Sequence, residues 1–460
     1  MASYEQLREQ YPVFRYHAYT VTQTETTIDL EFHFEIEGLA VFKPRWSFKK
    51  SDKYPLEIEG NRTFADMVFA LGMVELVSYW KITCSPRVEI LAGAVDEKQA
   101  AWFKNLYFHG LGEFFYVNGI PLDPCGFMQI VSCGEVAKGT ANIHTDLNGC
   151  LIPVGGGKDS VVTLELLKAQ KQTNFCYIIN PRGASLNTAK VAGYTEEDTI
   201  LAVKRTLDPT MLQLNKQGFL NGHTPFSAIV AFSSLMTAYI HHLQYIVLSN
   251  ESSANESTVA DSTVNHQYSK SFAFEKDFND YEAAYIRSGI SYFSLLRPLS
   301  EYQIAMLFAK AEKYHTVFRS CNAGSKQDIW CCNCPKCLFV YQILSPFLSQ
   351  EYLAEAFGSN MLDNEALLPI YKQLLGITPE KPFECVGSRD EVNTAAVRTI
   401  EDLENNGKPL PTLLRYYKST PLYEQYAAAP DVYTQYYETE NLLPTAFDQL
   451  LREKLAEVNA

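Results

Sequence analysis

The feature that most constrains the fold of this chain is a glycine-rich turn between an apolar run and a helical pattern. It reads Leu151-Ile-Pro-Val-Gly-Gly-Gly-Lys-Asp-Ser160 and continues as Val161-Val-Thr-Leu-Glu-Leu-Leu-Lys168. The glycines allow a ligand to approach the backbone closely, and the free N–H groups of the first helical turn point at that ligand. The pattern therefore predicts a phosphate-binding loop made of Gly155, Gly156, Gly157, Lys158, Asp159 and Ser160.

This loop is not a Walker A loop, because Lys158 is followed by Asp159 and not by Ser or Thr. It resembles the PP-loop of the ATP pyrophosphatases, Ser-Gly-Gly-x-Asp-Ser, with Gly155 in the place of the first Ser. The resemblance implies cleavage of ATP between its α and β phosphates. We expect Lys158 to balance phosphate charge and Asp159 to help hold Mg²⁺. A tight strand-to-helix connection without a ligand is the alternative interpretation.

Composition narrows the class of protein. The chain has 460 residues, enough for two or three domains, and its formal net charge of −14 disfavours a nucleic-acid scaffold. An acidic chain can still hold a local basic pocket, so tRNA modification stays open. Residues 217–250 lack Asp, Glu, Lys and Arg, but serines, histidines and a proline interrupt them, which favours a buried helix and strand over a membrane span. The N-terminus is polar and unlike a signal peptide, so we expect a cytoplasmic protein.

Periodicity divides the chain into three segments. Residues 1–145 open with an alternating strand pattern from Ile28 to Ile36 and continue with helical patterns over 64–80 and 96–111. We expect an N-terminal α+β domain there, without a chemical motif of its own. Residues 351–460 are polar and helical in pattern, which predicts a helical C-terminal segment.

The middle segment, residues 146–350, alternates strand and helix. Such alternation predicts an α/β, doubly wound parallel sheet that binds a nucleotide at the carboxyl ends of its strands. Together with the loop, it predicts a PP-loop-like core. The expected strands are 149–154, 174–179 and 245–248, and the expected helices follow the loop and cover 196–205 and 227–241.

Four cysteines are clustered within 17 residues in the pattern C-x9-C-x2-C-x2-C, with Cys332 as an extra thiol. Tetrahedral Zn²⁺ binds four thiolates, and closely spaced cysteine pairs turn back onto one ion. We therefore predict a structural zinc site, with an iron–sulfur cluster and unmetallated thiols as the alternatives. The predicted ligands are Cys321, Cys331, Cys334 and Cys337.

Five further residues are candidates for a site. His223 follows a turn and precedes an apolar helix, and His266 and Lys270 lie in the donor-rich run Asn265-His-Gln-Tyr-Ser-Lys270. Glu251 follows a buried strand, where it can bind Mg²⁺ or act as an acid or base, and Cys385 is a possible proton carrier. The plainer interpretations are a hydrogen-bonded turn histidine, a solvated loop and a structural cysteine.

Several segments resemble one family more narrowly, the UDP-N-acetyl-α-D-muramoyl-L-alanyl-L-glutamate epimerases. The segments are Met73-Val-Glu-Leu-Val-Ser-Tyr-Trp-Lys81, Gly110-Leu-Gly-Glu113, Asn221-Gly-His-Thr-Pro-Phe226, Ser249-Asn-Glu-Ser-Ser-Ala-Asn-Glu256, Val264-Asn-His-Gln-Tyr-Ser-Lys-Ser271, Phe318-Arg-Ser-Cys-Asn322 and Lys381-Pro-Phe-Glu-Cys-Val-Gly387. The resemblance covers most of the chain.

This resemblance implies conversion of the terminal L-Glu of UDP-MurNAc-L-Ala-L-Glu to D-Glu, with ATP cleaved to AMP and pyrophosphate. Adenylation of the α-carboxylate would remove its charge and make the adjacent Cα–H more acidic, so that one group can remove the proton and another can return it. A ligase of the 7-cyano-7-deazaguanine synthase type and a tRNA-modifying PP-loop enzyme are the alternatives. The sequence leaves the oligomeric state open.

Overall fold

A computed structural model describes residues 3–256, 265–430 and 432–459, and its centre is one eleven-stranded sheet. The strand order is β11-β10-β7-β8-β9-β4-β2-β1-β5-β6, with β3 paired to β2. The strands are β1 (Val13–Gln23), β2 (Thr27–Ile36), β3 (Ala40–Phe42), β4 (Arg45–Lys49), β5 (Arg87–Ile90), β6 (Gln129–Ser132), β7 (Cys150–Pro153), β8 (Asn174–Ile179), β9 (Ile200–Thr206), β10 (Tyr245–Leu248) and β11 (Ser291–Ser294).

Helices cover the sheet and form most of the last third of the chain. They are α1 (Tyr4–Gln10), α2 (Arg62–Trp80), α3 (Glu97–Gly110), α4 (Gly112–Val117), α5 (Lys158–Leu166), α6 (Gly183–Val191), α7 (Pro209–Lys216), α8 (Phe226–Ile240), α9 (Phe272–Tyr281), α10 (Glu301–Ala309), α11 (Pro335–Leu344), α12 (Gln350–Phe357), α13 (Leu368–Leu375), α14 (Arg389–Asn405), α15 (Thr412–Lys418), α16 (Pro421–Ala427) and α17 (Thr445–Asn459). Short 3₁₀ turns, such as Tyr268–Lys270, lie in the connections.

The parallel half of the sheet positions the site. Strands β7 to β11 are parallel to one another. Counting β7 as the first in chain order, they lie 3-2-1-4-5 across the sheet. The order reverses between β7 and β10. In open α/β sheets the carboxyl ends of the two strands at this reversal form the ligand crevice. The glycine loop follows β7, and Glu251 follows β10, so both predicted features lie at this crevice.

The N-terminal strands continue the same sheet. β4 pairs antiparallel with β9, and Arg205 on β9 forms a buried ion pair with Glu75 on α2, with an Nη2–Oε1 distance of 2.8 Å. Helix α2 packs against α8 within the larger of two hydrophobic cores, while α5, α10, α11 and α14 pack into the second. The expected mixed α/β class is confirmed, with a large and mostly parallel sheet.

One predicted helix is wrong. Residues 200–206 form strand β9, whereas residues 196–205 were expected to be helical. Ile200, Leu201 and Val203 are buried while Ala202 and Lys204 are exposed, because β9 lies between β8 and β4 inside the sheet. The register with both neighbours requires an extended chain, and this tertiary requirement overrides the local helical preference.

The other predicted elements of the first two segments are confirmed within a few residues, and the last segment is helical, as expected. The uncharged stretch 217–250 contains buried helix α8 and strand β10. Among the described helices, α2 is long and apolar enough to cross a membrane by length and composition, but 89% of that window is buried inside the protein. This is the environment of a core helix.

Candidate active site

The glycine loop is fixed by close backbone contacts. Gly156 has φ +89°, and a Cβ atom there would lie 2.5 Å from the carbonyl carbon of Ala184. Its N–H donates to Ser160 Oγ at 3.2 Å, and the same hydroxyl donates to the carbonyl oxygen of Gly157. By contrast, a Cβ atom at Gly155 would have no heavy atom within 4 Å. The loop therefore requires glycine at position 156 and leaves open space at position 155.

A cavity of about 300 Å³ opens beside this loop at the carboxyl ends of β7 and β8. Its wall contains Gly155, Asn180 directly after β8, Ala184 at the start of α6, and Arg319. Cys321 also lines the cavity, so the cysteine cluster adjoins it. The mixture of apolar strand ends, an arginine and a helix start is suited to a nucleotide.

Lys158 and Asp159 lie in a buried group of charges at the start of α5. The Lys158 ammonium contacts the carboxylates of Asp159 and Glu301, and the side chains of Lys158 and Glu301 are only 1% exposed. Burial lowers the pKa of Lys158, but Asp159 and Glu301 outweigh this effect and hold the pKa above its ordinary value. Burial raises the pKa of Glu301 to about 8, against the opposing effect of Lys158.

Glu251 belongs to the same electrostatic group. Its side chain is buried, its charge acts on both Lys158 and Glu301, and its backbone carbonyl accepts a hydrogen bond of 2.6 Å from Arg297 Nη1. Asp159, Glu251 and Glu301 thus supply three carboxylates at one end of the loop. Oxygen ligands of this kind are those that Mg²⁺ prefers, so these residues fit the predicted metal.

A second group of polar side chains surrounds Cys385. Lys270 Nζ donates to Cys385 Sγ at 3.2 Å, and His266 is also hydrogen-bonded to Cys385. Burial raises the pKa of the Cys385 thiol, but Lys270 and His266 outweigh burial and lower the pKa to about 6. A pKa below its ordinary value favours the thiolate, which is the reactive form of cysteine.

Two histidines share one carboxylate next to this thiol. His266 Nδ1 contacts Glu113 Oε2, and His223 Nδ1 lies 3.3 Å from the same oxygen. Burial lowers the pKa of His266, but its hydrogen bonds to Cys385 and Glu113 raise the pKa to about 9. Burial, with the nearby charge of His266, lowers the pKa of His223 to about 4. Neighbouring histidines are thus held in opposite protonation states, an arrangement suited to acid–base chemistry.

Two lysines connect the loop with the Cys385 group. Lys270 and Lys336 each act electrostatically on both Asp159 and Cys385. The Lys336 ammonium also contacts the carbonyl oxygen of Cys385. The structure therefore brings His223, Glu251, His266, Lys270 and Cys385 into one region beside the glycine loop. Val264, which begins the motif that contains His266, lies outside the described residues.

The cysteine cluster has the geometry of a metal site. The sulfur atoms of Cys321, Cys331, Cys334 and Cys337 lie within 4.8 Å of one another. The Cys334–Cys337, Cys331–Cys337 and Cys321–Cys334 sulfur distances are 3.5, 3.8 and 4.0 Å. Four Zn–S bonds of about 2.3 Å in a tetrahedron place the sulfurs about 3.8 Å apart, so the residues fit zinc.

Backbone N–H groups support the same interpretation. Gly324 N donates to Cys321 Sγ at 3.1 Å, and the N–H of Cys337 donates to Cys334 Sγ at 3.4 Å. Such bonds stabilise thiolates. Cys332 is turned away from the cluster, since its sulfur donates to the carbonyl oxygen of Phe357.

Comparison with known proteins identifies the family to which this chain belongs. The MurL N-terminal domain model matches residues 5–295, more than half of the chain, and the MurL C-terminal domain model matches residues 317–421. The chain belongs to the MurL family. It is similar to proteins named UDP-N-acetyl-alpha-D-muramoyl-L-alanyl-L-glutamate epimerase, which makes it an amino-acid epimerase.

Three such MurL relatives have similar coverage. The protein from Xanthomonas oryzae pv. oryzae is 35% identical over 71% of this chain and 72% of its own length. Those from Micromonospora sp. and Salinispora tropica are 35% and 36% identical over 72% of this chain, and over 73% and 72% of their own lengths. A ketoreductase domain from the bacillaene assembly line aligns with 56% of this chain and 85% of its own, but its 12% identity and TM-score of 0.22 support no argument.

Sequence reasoning missed three residues of this MurL site. Glu113 lies in the N-terminal segment, for which no chemical role was expected. Glu301 and Lys336 lie in the first turns of helices α10 and α11. Glu113 was part of the Gly110-Leu-Gly-Glu113 segment, which was the only signal for it. Glu301 follows the capping residue Ser300, so its position is typical of an ordinary first-turn acid.

Proposed function

We propose that this protein converts the terminal L-Glu of UDP-MurNAc-L-Ala-L-Glu to D-Glu through an adenylated α-carboxylate. The observation that carries the proposal is that the same two cations, Lys270 and Lys336, act on Asp159 in the glycine loop and on Cys385. The two groups of side chains are therefore neighbours. An adenylating site and a proton-transfer site must adjoin each other if one activated carboxylate serves both. The name that the three relatives share supports this substrate and favours it over amidating and tRNA-modifying activities.

The first step we propose is nucleotide activation in a PP-loop fold. The cavity beside Gly155 binds ATP, with its phosphates at the loop and at the start of α5. An oxygen of the substrate α-carboxylate attacks the α-phosphorus, and the bond from that phosphorus to pyrophosphate breaks. Asp159, with Glu251 and Glu301, would hold Mg²⁺, which supplies charge stabilisation at the phosphates. Lys158 adds a cation at the same place.

The second step is inversion at Cα. The acyl adenylate lacks the negative charge of the carboxylate, so its Cα–H is more acidic. A base removes this proton, and a second group returns one on the opposite face. Water then hydrolyses the mixed anhydride and releases AMP. The candidates for these roles are the polar side chains around Cys385, including His223, His266 and Lys270.

The cysteine cluster has a structural role in this proposal. A closed four-sulfur zinc site leaves no open position for a substrate. Cys321 lines the wall of the nucleotide cavity, so the shape of that cavity depends on an intact cysteine cluster. The reaction uses ATP and a small molecule, so we place it in the cytoplasm, without a membrane or nucleic-acid partner.

The decisive experiment is an incubation with UDP-MurNAc-L-Ala-L-Glu, ATP and Mg²⁺ in D₂O. AMP and pyrophosphate are followed, and the glutamate of the hydrolysed product is examined by chiral analysis and mass spectrometry. We expect D-Glu that carries deuterium at Cα, formed together with AMP. L-Glu that stays unchanged while no AMP appears would refute the proposal.

A further inference from the structure

Three segments far apart in the sequence meet at one thiol. Glu113 is on α4, His266 is in the loop before Tyr268–Lys270, and Cys385 is in the loop before α14. Glu113 contacts His266, and His266 is hydrogen-bonded to Cys385. A carboxylate, an imidazole and a thiol in this order form the arrangement by which enzymes hold a reactive cysteine beside an oriented histidine.

Independent contacts hold these segments together. The Tyr116 hydroxyl on α4 donates to Glu380 Oε1 at 2.8 Å, and its ring lies 5.3 Å from that of Phe383. Gln267 Nε2 donates to the carbonyl oxygen of Val386 at 3.3 Å. The loop around Cys385 is therefore held against α4 on one side, through Tyr116, and against the loop of His266 on the other side, through Gln267.

We propose that Glu113, His266 and Cys385 form a catalytic triad in which the Cys385 thiolate removes the Cα proton and Glu113 is a positioning residue that holds His266 against the thiol. This proposal rests on the proposed function, which identifies the proton as the one on Cα of the substrate glutamate. The step is balanced: the C–H bond breaks, its electron pair enters the acyl carbonyl as an enolate, and the proton ends on sulfur. The Lys270 ammonium beside the sulfur faces the negative charge throughout.

The charges around the triad agree with this assignment. Lys270, His266 and Lys336 act on Cys385 and favour its anion. Burial, together with the nearby Cys334 and Cys385, raises the pKa of the neighbouring Glu384 to about 7. His266 is faced by Glu113, by Cys385 and by the neutral His223. Lys81, which adds positive charge near His223, donates to Thr224 Oγ1 at 2.8 Å. Cations thus outnumber anions at the thiol.

The first test needs no substrate. The pH dependence of iodoacetamide alkylation at Cys385 is measured by peptide mapping in the wild type and in Glu113→Gln, with the exposed Cys125 and Cys133 as references in the same molecule. We expect half-maximal reactivity near pH 6 in the wild type. We expect a rise of about one pH unit in Glu113→Gln, because loss of the carboxylate weakens the imidazolium. A Cys385 profile that Glu113→Gln does not move would overturn the triad.

The second test uses turnover in D₂O. In Cys385→Ala the ratio of deuterium incorporated at Cα to AMP formed should fall at least about 100-fold, the usual contribution of a positioned base. In Glu113→Gln the acidic limb of the pH profile of epimerisation should move upward, while that of AMP formation stays in place. Glu113→Asp should restore part of the wild-type profile. A Cys385→Ala variant with the wild-type ratio would overturn the proposal.

The outcomes separate this proposal from the one on which it rests. A wild type that forms no AMP refutes the proposed function, while the alkylation profile still tests the triad. Glu113, His223 and His266 also lie close enough to hold a metal ion. Metal content is therefore measured in the wild type and in Glu113→Gln, and the loss of one equivalent in the variant would overturn the triad in favour of a metal site.

Discussion

Lys270 Nζ donates to Cys385 Sγ across 3.2 Å, although the two residues are 115 positions apart in the sequence. Lys270 ends a 3₁₀ turn after β10, and Cys385 lies in a loop between helices α13 and α14. The pair joins the parallel sheet to the helical C-terminal segment at the crevice. The positive charge of Lys270 acts on Asp159 as well, so this one ammonium group influences both Cys385 and the glycine loop.

The loop carboxylate offers a direct test of the nucleotide site. We expect Asp159→Asn to lower the rate of AMP formation at least about 100-fold, because the proposed function assigns to this buried carboxylate the role of organising the phosphates. Glu165→Gln, on the same helix but facing Tyr314 and Lys313, is the matched control and should keep its activity. Thermal melting of both variants checks folding. Near-normal AMP formation by Asp159→Asn would remove the loop assignment.

Two adjacent glycines should respond differently to the same substitution. Gly156→Ala places a Cβ atom 2.5 Å from the backbone of Ala184 at φ +89°, so it should lower the melting temperature and ATP use. Gly155→Ala meets no heavy atom within 4 Å and should leave the melting temperature within error. Differential scanning calorimetry of the two purified variants makes the comparison. Equal melting temperatures would contradict the loop geometry.

Two neighbouring cysteines provide a matched pair for the zinc prediction. Cys334→Ser should lose one equivalent of bound zinc and unfold at lower temperature, because metal binding contributes to folding free energy. Cys332→Ser, whose sulfur is bonded to the Phe357 carbonyl and faces away from the cluster, should keep its metal. Elemental analysis and thermal melting report both quantities. Wild-type protein that contains no zinc when purified without chelators would refute the site.

The Arg205–Glu75 ion pair should contribute strongly to stability. Glu75 is fully buried and also accepts a hydrogen bond of 3.2 Å from Trp46 Nε1. Arg205→Ala leaves this carboxylate without its cation, which costs about 3–5 kcal/mol in comparable buried pairs. Arg87→Ala removes the exposed partner of Glu89 and should cost about 0–1 kcal/mol. Urea denaturation measures both losses, and similar values for the two variants would contradict the prediction.

His241 should make stability depend on pH. Burial lowers its pKa to about 4 from the ordinary histidine value of 6.5, and its Nε2 lies 3.1 Å from the carbonyl oxygen of Lys49. The folded state therefore binds fewer protons than the unfolded state, so stability is full above pH 6.5 and falls as pH drops towards 4. The loss at pH 5 is on the order of 2 kcal/mol. His241→Gln keeps a donor for Lys49 and should lose about 2 kcal/mol less stability than the wild type between pH 7.5 and pH 5 in urea titrations. Other buried histidines with a lowered pKa, such as His223, account for pH dependence that remains in the variant.

The sequence by itself determined the parts of this protein that depend on local chemistry. The glycine loop was predicted from three glycines between an apolar run and a helix start, and the cysteine cluster from four cysteines within 17 residues. The alternation around Ile28 and the periodicity of α2 and α8 likewise predicted their elements. Each of these signals lies within one short, continuous segment of the chain, where local backbone geometry limits the distances between residues.

Tertiary structure decided the rest. β9 is a strand because β4 and β8 pair with it on both sides, which no local pattern within residues 196–205 revealed. Glu113, His266 and Cys385 meet because α4 and two separate loops converge on one crevice, and the opposite protonation states of His223 and His266 follow from burial and shared contacts. The distances between residues that are far apart in the sequence cannot be read from their order in the chain. Packing of distant segments sets them, and electrostatic interactions depend on those distances.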